Sequence, residues 1–538
     1  MQTPSKLWAV VCSRMKTAHA WVNLGLLGWG LAVLFLGLVW PVGVLFTQGV
    51  TSVSALHSPE ATPVLWDDSF MLWRILWTLV LALSTSGLCL VLGLPLAWLL
   101  TRLQWPLRSV CHHWVMLPMV VPTLVAALGV LAVWGPQGWW AGVLPANEDG
   151  QPGPWLLLLG HVFFNLGIVV RAAAQGLQAV SAGRVAAART LGASAWRAFW
   201  RVEWPALLPH LMVGLSLVFL YSFGSFGLPL VLGGQRYATL EVEIYTRVAH
   251  DLDLVGARQL AAVSAGLMAM VAFGQTWWGH RLVQPKAYNA PPAIKPTGAW
   301  HWVAIALGMA VLSVLCLLPL LAVVERCVAS LDSLPKLLAQ EDTLLALRNS
   351  LVFSFMALCL AITTGCVLAF SAHRFQWLRP ALTLPLLVSP VVVGFGYLLA
   401  YPNAIAHEGL LISAYALLAL PLVALPLLAA LDALPNAVYC AARSLGASRW
   451  RAFVRITLPQ LLPALRRGAA LALASCMGEF AITLFLSRPE WTTLGTLIYQ
   501  YLGRPGQANF EAALLLSGLL LALTGAMFWL IDPPTRKA

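Results

Sequence analysis

Charge is scarce in this sequence. Of 538 residues only 10% are Asp, Glu, Lys or Arg, 60% are hydrophobic, and the mean hydropathy is +0.81. A soluble domain carries roughly 25% charged residues, so water is excluded as the solvent for most of this surface. No Cys-x-x-Cys pair occurs among the nine cysteines, and Cys89, Cys316, Cys359, Cys366 and Cys476 lie in apolar runs. They read as small core hydrophobes, which leaves no disulfide framework and no cysteine metal site. No second histidine stands at ligand spacing from His161, so no metal site is expected. The phosphate-loop pattern G-x-x-x-x-G-K-[ST] is absent as well. The chain is therefore not expected to be an enzyme that hydrolyses ATP, nor to bind a cofactor of its own.

What the chain has instead is long apolar runs. The first, NLGLLGWGLAVLFLGLVWPVGVLF (23–46), is too long for a signal peptide and reads as an uncleaved span. Runs of about membrane-spanning length follow near 75–100, 114–134, 155–178, 210–233 and 259–280. A polar, basic, proline-rich stretch, RLVQPKAYNAPPAIKPTG (281–298), separates them from six more near 303–324, 350–371, 381–401, 410–431, 468–487 and 512–531. The division predicted is one six-span unit over 1–280, a cytoplasmic linker over 281–300 and a second six-span unit over 301–538. The fold class is an all-α membrane protein of about 12 transmembrane helices. Many of the 25 tryptophans end these runs, at headgroup level; Trp139 and Trp140 read as such belt residues or as contacts for an external protein.

The net charge of +12 could suit nucleic acid or anionic lipid, and its placement decides between them. With the N-terminus in the cytoplasm, inside segments hold Lys6, Arg14, Lys16, Arg102, Arg108, Arg171 through Arg201, Arg281, Lys286, Lys295, Arg374, Arg379, Arg443 through Arg467, Arg536 and Lys537. That is 23 of the 32 basic residues. Opposite loops carry Glu148, Asp149, Glu241, Glu243, Asp251, Asp253, Glu341, Asp342 and Glu408. This bias puts basic loops and both termini in the cytoplasm, and no nucleic-acid partner is expected.

One basic segment occurs twice. AARTLGASAWRAFWRVEWPALLP (187–209) and AARSLGASRWRAFVRITLPQLLP (441–463) are identical at 16 of 23 positions with a constant offset of 254. Both fall on the cytoplasmic side between the fourth and fifth spans of their unit, which implies a parallel repeat. Each reads as a short helix, a break at Gly192 or Gly446, and a second short helix capped by Ser194 or Ser448. Pro205 or Pro459 is expected to end or kink the second helix. Trp196, Phe199 and Trp200 share a face of that helix, with Arg197 and Arg201 four apart on another, and Trp450, Phe453, Arg451 and Arg455 repeat this. Such a helix can lie across the membrane surface with its rings against the spans. It either anchors in anionic headgroups or docks in a partner; recurrence of glycine, serine, aromatic and proline in register favours docking.

These segments resemble the coupling loop of ATP-binding-cassette importer permeases, Glu-Ala-Ala, three residues, Gly, nine residues, Ile-x-Leu-Pro. Ala187, Ala188 and Gly192 match in the first copy, which ends Val202-Glu203-Trp204-Pro205; Ala441, Ala442, Gly446 and Ile456-Thr457-Leu458-Pro459 match in the second. The family glutamate is Ala186 here, and Cys440 in the second copy. The resemblance covers both halves, including GLPLAWLLTR (93–102). It implies two tandem type I permease units, with coupling loops over 182–209 and 436–463. It also implies two copies of a separate ATPase subunit carrying ATP and Mg, a periplasmic solute-binding protein, membrane lipid around the spans, and a bacterial inner-membrane location. Ala187, Ala188, Gly192, Ser194, Arg197 and Pro205, with Ala441, Ala442, Gly446, Ser448, Arg451 and Pro459, are the ATPase-coupling residues so implied.

Four polar residues fall at membrane depth. Glu479, in SCMGEFAITLFL (475–486), is expected inside the eleventh span, with Ser225 at the equivalent place of the first unit. An acid at that depth costs at least a few kcal/mol unless it faces a cavity or a partner. Glu479 therefore either fixes helix packing through hydrogen bonds or lines a path for a cationic solute. His161 and Asn165 lie four apart on one helical face and either line the pathway or, as favoured, staple adjacent helices. The fused length and the stretches VWGPQGWW, GHVFFNLGIVVRAAAQGLQAV and FWRVEWPALLPHL resemble thiamine-importing permeases, implying thiamine and its phosphate esters as cargo. Iron(III) importers of the same family are the alternative, and a channel or scaffold that works without an ATPase is the reading from another class.

Overall fold

The computed structural model describes residues 25, 27–54, 69–145, 153–282, 291–404, 406–486 and 488–532. Lys6, Arg14, Lys16, Lys286, Glu148, Asp149, Arg536, Lys537 and both termini, used above to orient the chain, lie outside them. Among the described residues every regular element is helical, apart from one isolated bridge between Leu103 and Ile294. Among the described residues nine helices are long and apolar enough to cross a membrane, or up to eleven if each of two bent pairs is one span. The chain is thus an all-α, multi-pass membrane protein.

In chain order the helices are α1 (Leu27–Thr47), α2 (Ser69–Arg102), α3 (Arg108–Val120 with Thr123–Trp134), α4 (Pro154–Gln178), α5 (Ala195–Phe223) and α6 (Leu254–Gln275). Then come α7 (Ala299–Ala329), α8 (Glu341–Arg374), α9 (Gln376–Leu387 with Pro390–Ala400) and α10 (Glu408–Ala433). Last are α11 (Leu458–Met477) and α12 (Gln507–Ile531). α11 holds Arg466 and Arg467, is less apolar, and is not one of the nine. At ~1.5 Å per residue, the 34 residues of α2 and of α8 outreach a hydrocarbon core of ~30 Å, so their ends stand in the headgroups or beyond. Burial ranks the helices: 72% of the α4 span and 67% of the α10 span are inside the protein, against 33% for α1, α2, α7 and α12. α4 and α10 form the centre, and the other four present apolar flanks to lipid.

Two of the expected spans are folded. α3 turns by 113° at Val121-Pro122 and α9 by 93° at Ser389-Pro390. Proline pushes its predecessor out of the α region, and Val121 (ψ 132°) and Ser389 (ψ 151°) are both extended. The runs expected at 210–233 and 468–487 are also broken. Helices end at Phe223 and Met477, and the chain resumes as Gly227–Leu232 and Ala481–Leu486.

The element starts repeat at fixed intervals. α1 and α2 lead α7 and α8 by 272 residues, while α4, Ala182–Thr190, Ala195–Ala198, Trp204–Phe223 and Gly227–Leu232 each lead a counterpart by 254. The leading helices are exchanged: α1 lies on α9 and α7 on α3. A Cβ on Gly396 would sit 3.0 Å from the Pro41 carbonyl oxygen, and one on Gly129 would sit 2.7 Å from that of Pro319. Only glycine permits that approach.

Candidate functional site

The repeated segments fold alike. Helix Ala182–Thr190 ends in Gly192 (φ 83°) and helix Asn436–Ser444 in Gly446 (φ 84°), the left-handed region where a Cβ is penalised. The Ala193 N–H donates to the Ala188 carbonyl (3.0 Å) and the Gly192 N–H to that of Arg189 (3.1 Å). The Ala447 and Gly446 amides reach Ala442 and Arg443, both at 3.1 Å. Both are the paired helix-ending bonds of a Schellman turn. Ala187 and Ala441 serve the same turns, their carbonyls accepting from Leu191 and Leu445 (3.0 Å each). Ser194 Oγ then accepts from the Arg197 amide (3.3 Å), and Ser448 Oγ from that of Arg451 (3.2 Å), capping the next helix as expected.

Two expectations about these segments are corrected. Of the two outcomes expected at Pro205 and Pro459, an end of the helix is not seen. The backbone widens to a π-turn over Phe199–Glu203 and over Phe453–Thr457, and Trp204–Phe223 and Leu458–Met477 follow without a break. Widening gives the proline ring room against the preceding turn, and its missing N–H falls where the bonding pattern is already shifted. Nor do Trp196 and Trp450 lie against the spans, being 71% and 73% exposed; Phe453 does, its ring 6.2 Å from that of Phe370 on α8, and Trp200 packs on Trp204 at 5.0 Å. The small residues Ala198 and Ala452 are the buried ones; they allow close approach and leave the bulky rings outward. Leu191 and Leu445, at the turns, are 88% and 89% exposed.

The four polar residues singled out at membrane depth surround one cavity of about 360 Å³. His161 and Asn165 enter from α4, Ser225 from the break after α5, and Glu479 from the break after α11. Glu479 is thus not inside a span; its Oε1 accepts from the Ile482 amide (3.2 Å) and caps helix Ala481–Leu486. Asn165 also staples: its Nδ2 donates to the His161 carbonyl (2.9 Å) and to Ser222 Oγ on α5 (3.3 Å). Phe226 and Phe480, equivalent residues of the two breaks, stack at 5.8 Å between centroids and 24° between planes, and both line the cavity. Both halves contribute walls, since Pro122 of α3 and Ser389 of α9 complete them. Among the described residues no Lys or Arg lines the cavity. No group of three or more His, Cys, Asp or Glu that could hold a metal occurs among them either.

A sequence family described as binding-protein-dependent transport system inner membrane component matches residues 90–333 and 346–537. The chain belongs to that family. It is therefore a membrane-embedded permease subunit of an ATP-binding-cassette importer, a non-catalytic translocation component for a solute delivered by a binding protein. The permease is 29% identical to the thiamine transport system permease protein ThiP of Salmonella typhimurium over 506 residues, 90% of this chain and 93% of that one. It is 28% identical to the protein of the same description from Escherichia coli, over 81% of this chain and 85% of that one. The sulfate transport system permease protein CysT of Escherichia coli is 30% identical over 214 residues, 38% of this chain and 77% of its own.

The permease also holds functional-looking groups that sequence reasoning placed wrongly. Glu241 and Glu243, read as loop acids, are buried on helix Leu240–Ala249. Glu241 Oε1 accepts from Ser264 Oγ on α6 (2.5 Å) and Oε2 from Ser389 Oγ at the α9 bend (2.6 Å), so one carboxylate joins the two halves directly behind the cavity wall. Glu243 meets Arg74 (3.4 Å) and Arg247 (3.3 Å). At the other end, Arg102 bonds Glu203 of the first repeated segment (2.8 Å) and the Leu177 carbonyl (3.3 Å). The linker is strung across the same place, with the Ile294 amide donating to the Arg102 carbonyl (2.9 Å) and the Gln104 amide to that of Ile294 (2.8 Å).

Proposed function

We propose that this permease is a fused pair of six-span units, related as a parallel repeat, that passes thiamine from a periplasmic binding protein to the cytoplasm of a bacterium. The units run over 1–280 and 301–538, joined by the linker 281–300. The equal spacing of their elements supports this, with α11 as the counterpart of Trp204–Phe223 and hence the twelfth crossing. Both termini and both repeated segments face the cytoplasm. The observation that carries the coupling role is the pair of matched, capped turns that leave Leu191, Trp196, Leu445 and Trp450 exposed on the protein's surface. Such apolar surface, rimmed by Arg197 and Arg451, suits burial in a protein cleft, and each turn docks one ATPase subunit.

Because each docked helix runs unbroken into α5 or α11, movement of the ATPase pair on ATP and Mg reaches the cavity through rigid helix. Glu479, Ser225, His161 and Asn165 form the translocation wall, and the Phe226–Phe480 stack separates when access changes. The transition is a two-state population shift driven by chemistry on the partners. Thiamine is favoured as cargo by similarity to two thiamine permeases over most of both lengths. The test is uptake into liposomes holding this chain with its ATPase, supplied with the binding protein. Expected is ATP-dependent accumulation of thiamine; uptake that persists without the ATPase would point to a channel and defeat the reading.

A further inference from the structure

Among the described residues, one group on the cavity wall has no protein partner. His161 is 1% exposed, its Nδ1 lies 2.9 Å from the Leu157 carbonyl, and its Nε2 is buried with nothing to bond. A carbonyl can only accept, so Nδ1 carries the hydrogen. A second proton on Nε2 would bury a donor and a charge together with no acceptor. Nε2 is therefore a lone pair, on a residue that lines the cavity. Its neighbours lean the same way. Both hydrogens of the Asn165 amide are spent on the His161 carbonyl and Ser222, which leaves Oδ1 as an acceptor. Glu479 accepts from the Ile482 amide at a helix start. The hydroxyl hydrogen of Ser389 is spent on Glu241.

We propose that His161 reads the solute: held by Leu157 as the Nδ1–H tautomer, it presents Nε2 to the cavity and, with Asn165 Oδ1, selects solutes that bring an amino or hydroxyl donor to that point of the wall. This rests on the cavity being the solute's path. Nε2 is already buried and unpaired, so only a solute that brings a donor gains a bond there, and that difference is the selectivity. The amino group on the pyrimidine ring of thiamine is a donor of the required kind.

The assay is uptake by the whole importer in liposomes, using thiamine and a thiamine lacking that amino group, with wild type, His161→Phe and His161→Gln. His161→Phe keeps a ring and removes the acceptor; His161→Gln keeps an acceptor. Expected is a fall of about tenfold in thiamine uptake for His161→Phe, the size of one net hydrogen bond, with partial rescue by His161→Gln and little change for the desamino compound. Equal losses for both compounds, or no loss, would overturn the proposal. A second measurement is independent of cargo: nitrogen NMR of the histidine-labelled full chain, with His161→Phe to assign the signal. A bare Nε2 supports the proposal and a protonated Nε2 overturns it. Absence of any thiamine uptake by the wild type would instead defeat the choice of cargo, and the nitrogen signal would still decide the role of His161.

Discussion

Replacing Gly446 by valine tests the docking role with a cost that can be worked out beforehand. At φ 84° the backbone lies in the left-handed region, and a Cβ built there meets nothing within 4 Å. Crowding contributes nothing, so the whole penalty is conformational, about 1–2 kcal/mol for an ordinary residue and more for a β-branched one. A loss of that size shifts the population of the turn by a factor of about 5–30. It does so without touching a span, because the turn is held by the Ala447–Ala442 and Gly446–Arg443 bonds at the protein's edge. Gly446→Asn is the control, since asparagine tolerates this conformation. In membranes bearing the ATPase and the binding protein, Gly446→Val should lower both co-purified ATPase and solute uptake several-fold at unchanged permease content, and Gly446→Asn much less. The same substitution at Gly192 should act independently, so that the effects multiply in the double variant. Undiminished uptake in Gly446→Val, or equal loss in valine and asparagine variants, would refute the reasoning.

Glu241→Ala strands the hydroxyls of Ser264 and Ser389 in a buried site, at about 1–3 kcal/mol for each unsatisfied group. The melting temperature in mild detergent should fall by a few degrees, and by less for Ser264→Ala, which leaves Glu241 bonded to Ser389 and the Val392 amide capped; an unshifted melt for Glu241→Ala would show that the carboxylate does not join the halves. Cysteines introduced as Ala195→Cys and Arg449→Cys should react with an impermeant reagent only from the cytoplasmic side, and labelling of either from the periplasm would end the proposed orientation.

The repeat was legible because its signals are local. Glycine at a left-handed position, serine three residues before an amide it caps, and a fixed offset need no knowledge of neighbours. The bends at Pro122 and Pro390 were not read, although both prolines lie in plain view. An apolar run hides its own breaks, since Phe223, Gly224, Phe226 and Leu228 are equally at home in a helix and in a kinked re-entry. Glu241 was misplaced for a different reason. Counting charges by loop cannot separate a solvated acid from a buried one, and its partner Ser389 lies 148 residues away. The tryptophans misled because aromatic rings are usually evidence of burial. Here Ala198 and Ala452 take the inner positions, and only contacts from other helices could reveal that.

Joining the halves in one polypeptide has a consequence at the Phe226–Phe480 stack. Two copies of a single half would meet there as two-fold equivalents, with an acid on both sides or on neither. This chain sets Glu479 on one side and Ser225 on the other, so the throat has a handedness of charge. On the pathway proposed above, a solute would meet an acid on one side only.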